Sequence, residues 1–123
     1  LKNFDKKLYK LMSKKTKIKS ILNNKIQIME SVLRYFFVSN REDNLPNDPV
    51  SRFHIGNGAT LENIHFLGNE TEKSINESLG IMVNYLYDLE NVEKNHEKFV
   101  VDKQMNASKS LRKKFFKLKI LME

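Results

Sequence analysis

Asp48-Pro49-Val50-Ser51-Arg52-Phe53-His54-Ile55-Gly56-Asn57-Gly58 sets a histidine just ahead of a glycine-rich break. An imidazole can donate a proton near neutral pH, and a turn that exposes backbone N–H groups can hold an oxyanion. This pairing suits proton transfer. A second stretch, Gly80 followed by Ile81-Met82-Val83-Asn84-Tyr85-Leu86-Tyr87, carries two tyrosines at a spacing of two. In an extended strand that spacing puts Tyr85 and Tyr87 on one face and Asn84 on the other. A tyrosine hydroxyl beside His54 would orient an imidazole or a bound acyl group. The competing reading is plain aromatic core, with His54 a structural neighbour of Phe53.

The other chemistry-bearing types say less. His65 alternates along LENIHFL and reads as structural; His96, in ENVEKNHEK, reads as a solvated helix residue. No Cys is present, which excludes a disulfide framework, a thiolate nucleophile and a Cys-based zinc site. The histidines show no HxH or HExxH spacing, and no GxSxG, Walker A or GxGxxG pattern occurs.

The elements that would position these residues can be read in order. Leu8, Leu11, Met12, Ile18, Ile21 and Leu22, with Phe4 before them, predict one or two short amphipathic helices broken near Ser13 or Thr16. Asn23-Asn24 breaks the pattern. A helix from there to about Val38 should bury Leu33, Phe36 and Phe37. Ser39–Asn47 is polar, contains Pro46 and predicts a surface loop. Asp48-Pro49 then predicts a helix start, since a carboxylate accepts from free N–H groups and Pro fits the first helical position. Val50, Phe53 and His54 fall on one side of that short helix. Leu61–Leu67 reads as a strand, and Asn69 or Thr71 should cap a helix running to about Leu79. Ile81–Tyr87 reads as a buried strand, followed by helices over about Leu89–Val100 and Asn106–Leu121, with Ala107, Leu111, Phe115, Leu118 and Met122 on one face of the last. The order predicts an α+β chain, mostly helical, whose two strands make an incomplete sheet.

With 123 residues the chain holds one core, and no apolar run approaches the length of a membrane span. The net charge of +7 is uneven. Residues 1–29 carry nine Lys against one Asp, residues 30–100 six basic against twelve acidic groups, and residues 101–123 seven against two. A basic lead-in over residues 1–24 could bind phosphate or an acidic surface, but a solvated lysine face is the plainer reading. A nucleic-acid partner is not expected, because only the ends are basic. The ends show no secretory, transit or peroxisomal pattern, so a cytoplasmic location is expected.

Two blocks together are more specific than their parts. Asp48-Pro49-Val50-Ser51-Arg52-Phe53-His54-Ile55-Gly56-Asn57-Gly58-Ala59 and Gly80-Ile81-Met82-Val83-Asn84-Tyr85-Leu86-Tyr87-Asp88-Leu89, with Asn95-His96-Glu97 and Ala107-Ser108-Lys109 after them, resemble the malonyl-CoA decarboxylase family. The likeness is collinear over about Ile26 to Lys114. It implies a partial acetyltransferase-like acyl-CoA domain that converts malonyl-CoA to acetyl-CoA and carbon dioxide, in fatty-acid metabolism, without metal or organic cofactor. By the family pattern His54 is the proton donor. Tyr87 lines the same site and helps hold the malonyl group, and Asn57 is a further substrate-binding candidate. The family's serine and CoA-binding stretch lie upstream of the matching blocks, and Ser13, Ser20, Ser31 and Ser39 stand in no matching context. The resemblance therefore implies that residues 25–123 are the C-terminal part of such a catalytic domain. Self-association through the helices is expected as one possible partnership. The alternatives are a helical module binding an acidic partner through its basic ends, and an inactive remnant.

Overall fold

A computed structural model describes residues 6–103 and 105–122. Phe4, and the side chains of Leu8, Leu118 and Met122, lie outside the described residues. In chain order the elements are α1 (Lys6–Leu11), α2 (Lys14–Asn23), α3 (Lys25–Phe37), α4 (Pro49–Gly56), β1 (Thr60–His65), α5 (Glu72–Ser78), β2 (Met82–Leu86), α6 (Val92–Asp102) and α7 (Lys109–Met122). The chain is α+β and mostly helical, with β1 and β2 paired in a two-stranded sheet. It divides into two compact units. One comprises the described parts of Leu1–Met29 and Ile64–Met82, the other those of Glu30–Asn63 and Val83–Glu123.

In the first unit the break between α1 and α2 falls at Ser13, whose hydroxyl accepts from the Thr16 N–H at 3.2 Å. The buried Lys17 ammonium of α2 donates to Asn76 Oδ1 at 2.6 Å and lies 5.0 Å over the Tyr9 ring. The Tyr9 hydroxyl donates to the Ile75 carbonyl at 2.9 Å, so both residues tie the basic helices to α5. Thr71 caps α5, as one of the two expected positions. Leu79 itself takes the left-handed conformation that ends this helix, and Gly80 follows at φ +76°. A Cβ on Gly80 would come within 2.8 Å of Leu67 Cδ2.

The second unit carries the predicted histidine and tyrosines. Within it α3 buries Leu33 and Phe36, and Phe37 stacks on Phe115 of α7 with centroids 5.0 Å apart. The Ser39–Asn47 loop then turns the chain back on a few side chains. Asn47 Nδ2 donates to the Tyr35 and Val38 carbonyls at 2.9 and 2.8 Å, satisfying groups at the end of α3. Its Oδ1 accepts from Asn40 N–H at 2.9 Å. Asp43 accepts from both Arg41 and the Leu45 N–H, and these bonds hold its carboxyl down at about 2. Asp48 caps α4, accepting from the Ser51 N–H at 2.9 Å, with Pro49 at the helix start.

Three expectations need correction. The second strand is not buried: Asn84 and Leu86 are exposed, and Tyr85 is only half-buried. Burial alternates along β2, with Val83 and Tyr85 partly covered and Met82, Asn84 and Leu86 exposed, so one face packs on the protein and the other meets solvent. The sixth helix starts at Val92, not Leu89, because Asp88 accepts from Glu90 N–H and Asn91 Nδ2 and closes a turn there. The last helix starts at Lys109, because residues 106–108 run beside β1. Leu61 N–H donates to the Asn106 carbonyl at 2.8 Å, and Ser108 N–H to the Leu61 carbonyl at 2.9 Å. Ser108 Oγ then accepts from the Leu111 N–H at 3.1 Å, in the manner of a helix cap.

Asp48→Ala should lower unfolding free energy by about 1 kcal/mol, as for other lost helix caps, measured by urea denaturation of the chain. Asp43 gives a pH signature. Its carboxyl is depressed in the folded state, so its stabilisation is present above the ordinary value of 3.8 and is lost as pH falls through about 2. Asp43→Asn should therefore flatten the fall of Tm across that acid window and leave its pH dependence near neutrality as it was.

Candidate active site

The site is built on α4, an eight-residue helix that must be held from outside. Asp48 holds its start, and the Tyr35 hydroxyl donates to the same carboxylate at 3.1 Å. Arg52 Nη1 donates to the Pro46 and Asn47 carbonyls at 2.8 and 2.9 Å, binding the helix to its own approach loop. The inward face is Ser51 and Ile55, both fully buried, whereas Val50 and Phe53 stay exposed, Phe53 at 65%. The expected Val50–Phe53–His54 side is therefore the outer side of the helix.

The far end of α4 is closed by the glycine-rich turn. The N–H groups of Asn57, Gly58 and Ala59 donate back to the Phe53, His54 and Ile55 carbonyls at 3.0–3.1 Å. These donors are thus spent on the helix end, and the turn does not hold them out for an oxyanion. Gly58 sits at φ +92°, and a Cβ there would lie 2.3 Å from the Val92 carbonyl oxygen. No other residue type fits that approach. The first turns of α6 add two more ties: Asn95 Nδ2 donates to the Gly58 carbonyl at 3.2 Å, and His96 Nδ1 lies 2.5 Å from the Gly56 carbonyl. Such a contact requires the proton on His96 Nδ1. His96 is exposed on α6, as expected, and also bonds to this turn.

Between these two anchors, His54 meets the end of β2. Its Nδ1 lies 2.7 Å from the Tyr87 hydroxyl, across 33 residues of sequence. The Tyr85 ring stacks against the imidazole, with centroids 4.5 Å apart and planes 25° from parallel. Tyr87 and Phe53 approach edge-on, at 5.8 and 5.2 Å. The shared strand face read from the sequence thus brings both tyrosines to His54. With Nδ1 engaged, Nε2 is the nitrogen left to meet a substrate. Asn57 stands at the C-cap of α4 and is exposed; among the described residues its side chain makes no hydrogen bond. His65 is exposed on β1.

Behind the pair lies a small polar layer. Burial pushes the Tyr85 hydroxyl above its usual range; the neighbouring Ser51 hydroxyl works against this shift, and the Asp48 carboxylate reinforces it. Burial, followed by the bond to Asp48, also raises Tyr35. Ser51 Oγ is close enough to Tyr85 to be felt but outside bonding geometry, which leaves it without a hydrogen-bond partner. A cleft of about 330 Å³, lined by Ser31, Arg34, Tyr35, Val38 and Asn40, does not include His54 or Tyr87. Among the described residues, no three His, Cys, Asp or Glu side chains group to hold a metal ion, and no helix is long and apolar enough to cross a membrane. Sequence reasoning missed Tyr85 as the stacking partner, which its spacing from Tyr87 could have shown. It also missed the contact of the exposed His96 with the Gly56 carbonyl, which no periodicity shows.

Comparison with known proteins gives this geometry a context. The family profile described as the malonyl-CoA decarboxylase C-terminal domain matches residues 2–122. The mitochondrial malonyl-CoA decarboxylase of Anser anser anser is 38% identical over 64 residues, which cover 52% of this chain and 13% of that protein. The Rattus norvegicus protein of the same name is 34% identical over an equal span. Among solved structures, malonyl-CoA decarboxylase from Rhodopseudomonas palustris aligns with a TM-score of 0.68 and 38% identity, over 74% of this chain and 21% of that one. The Agrobacterium vitis enzyme aligns with a TM-score of 0.67 and 41% identity, over 74% and 22%. The chain thus spans about a fifth of the solved structures it matches. Its sequence and its fold agree on one placement: this chain belongs to the malonyl-CoA decarboxylase C-terminal domain family.

Proposed function

We propose that this chain supplies the proton-donating end of a malonyl-CoA decarboxylase site, in which malonyl-CoA becomes acetyl-CoA and carbon dioxide. The observation that carries the reading is the 2.7 Å contact between His54 Nδ1 and the Tyr87 hydroxyl. It joins the two sequence blocks that resemble the family, on a chain whose family is that of the decarboxylase C-terminal domain.

The chemistry asks little of the protein beyond orientation, charge stabilisation and a proton. When the malonyl carboxylate leaves as carbon dioxide, the electron pair of the broken C–C bond stays on the α-carbon and spreads onto the thioester oxygen as an enolate. The His54 imidazolium delivers its Nε2 proton to that carbon. The neutral ring left behind keeps its second proton on Nδ1, where the Tyr87 oxygen accepts it. One proton from water restores the imidazolium, so each turnover consumes one proton. Tyr87, 41% exposed, also remains within reach of a bound malonyl group, and Asn57 is the second residue assigned to substrate contact.

Because the N–H groups of the Gly56–Gly58 turn are occupied, donors for the enolate oxygen belong to another part of the site. That fits a chain matching only part of its relatives, and an acetyltransferase-like acyl-CoA cleft completed by further residues is part of the same proposal. Malonyl-CoA is the proposed substrate, and no metal or organic cofactor is invoked. Cytoplasmic location also belongs to the proposal; the goose and rat relatives are named as mitochondrial proteins.

In the complete protein that carries this chain, His54→Ala should lower kcat by about a hundredfold, as for a lost general acid, measured by acetyl-CoA release. Tyr87→Phe should lower it less, since the imidazole remains. Near-normal turnover by His54→Ala would remove this histidine from the mechanism.

A further inference from the structure

His54 meets one hydrogen bond and one stacked face, with Phe53 and Tyr87 edge-on to the ring, and the bond and the stacked face do different jobs. The Tyr87 hydroxyl marks which ring nitrogen is engaged, but a single hydrogen bond leaves the imidazole free to tilt about it. The Tyr85 ring removes that freedom. It lies 4.5 Å from the imidazole at 25°, an offset-stacked range in which tilting the ring would break contact along its whole face. We infer that Tyr85 is a positioning residue for the proton donor: it fixes the plane of His54, and hence the direction in which Nε2 meets the α-carbon.

The placement of Tyr85 on its own strand supports this. The residues beside it on β2, Asn84 and Leu86, are exposed, whereas Tyr85 is half-buried. Its ring is therefore partly enclosed instead of swinging in solvent. Its hydroxyl end faces the start of α4, where the fully buried Ser51 hydroxyl and the Asp48 carboxylate both act on it. Asp48 is also the cap of the helix that carries His54, and it accepts from Tyr35. The residue that sets the helix start thus stands near the ring that sets the imidazole plane. Rotation of α4 and rotation of the imidazole are resisted by adjacent groups.

The inference rests on the decarboxylase reading for its catalytic consequence, but not for its geometry, and the test separates the two. Histidine-labelled complete protein would be examined by long-range nitrogen–proton NMR, alongside kinetics with malonyl-CoA, for wild type, Tyr85→Phe and Tyr85→Leu. In wild type the carbon-bound ring protons of His54 should be shifted upfield by the stacked ring, and the neutral imidazole should be a single tautomer with its proton on Nδ1. Tyr85→Leu should lose the upfield shift, mix the tautomers and lower kcat about tenfold while KM stays within about twofold, the pattern of a misaimed group and not of a lost binding contact. Tyr85→Phe should restore the upfield shift, the single tautomer and most of kcat. A Tyr85→Leu protein with one tautomer and wild-type kcat would overturn the inference, and so would a wild type whose His54 protons show no upfield shift, whether or not the leucine variant folds. A complete protein without decarboxylase activity would sink the proposed function alone, since the spectra would still decide the role of Tyr85.

Discussion

An eight-residue helix cannot stand alone in water, because closing its first turn costs more than so few hydrogen bonds return. The helix that carries His54 is of that length, so everything the site can do depends on what grips its two ends. At the start, Asp48 accepts a backbone N–H and receives the Tyr35 hydroxyl, while Arg52 reaches back to two loop carbonyls. At the finish, Gly58 brings the turn against the backbone of Val92, and Asn95 and His96 bond to its carbonyls. The imidazole thus stands on a helix tied at both of its ends.

The same economy explains why loops and helices far apart in sequence share one purpose. Asn47 ties the end of α3 to the approach of α4, so the segment between them is a measured return and not slack. Residues 106–108 line the edge of β1 before α7 begins, which fixes the strand from the side opposite β2. With β1 held there, β2 is set at the distance that lets Tyr85 and Tyr87 face His54. Each tie is a single hydrogen bond of modest net worth, about 1 kcal/mol. Together they convert a two-stranded sheet, marginal by itself, into a frame for one histidine.

Much of this was legible in the sequence, and the reason is local chemistry. Asp48-Pro49 names a helix start whatever surrounds it, and Gly56-Asn57-Gly58 names its end. The two-residue spacing of Tyr85 and Tyr87 fixes a common face as soon as the segment is extended. What could not be read depends on where chains meet. Leu89–Asn91 looks helical by pattern, but the Asp88 carboxylate captures the local donors and delays α6. Ile81–Tyr87 looks like a buried strand because it is apolar, yet burial is set by what packs on each face, and here one face is left to solvent. The donors of the glycine turn looked available to a ligand, and only the closed helix end shows them spent. His96 bonds to a carbonyl 40 residues away, a relation that no window of sequence contains.

The central claim is that His54, aimed by the strand tyrosines, is the group that meets the reacting carbon. A crystal structure of the complete protein with a non-decarboxylating malonyl-CoA analogue, its terminal carboxylate replaced by a sulfonate, tests this most directly. The account predicts the malonyl α-carbon within about 3–3.5 Å of His54 Nε2, the separation of a near-attack arrangement, with Nδ1 still on the Tyr87 hydroxyl. An acyl group seated out of reach of this histidine, with the His54–Tyr87 contact intact, would contradict it.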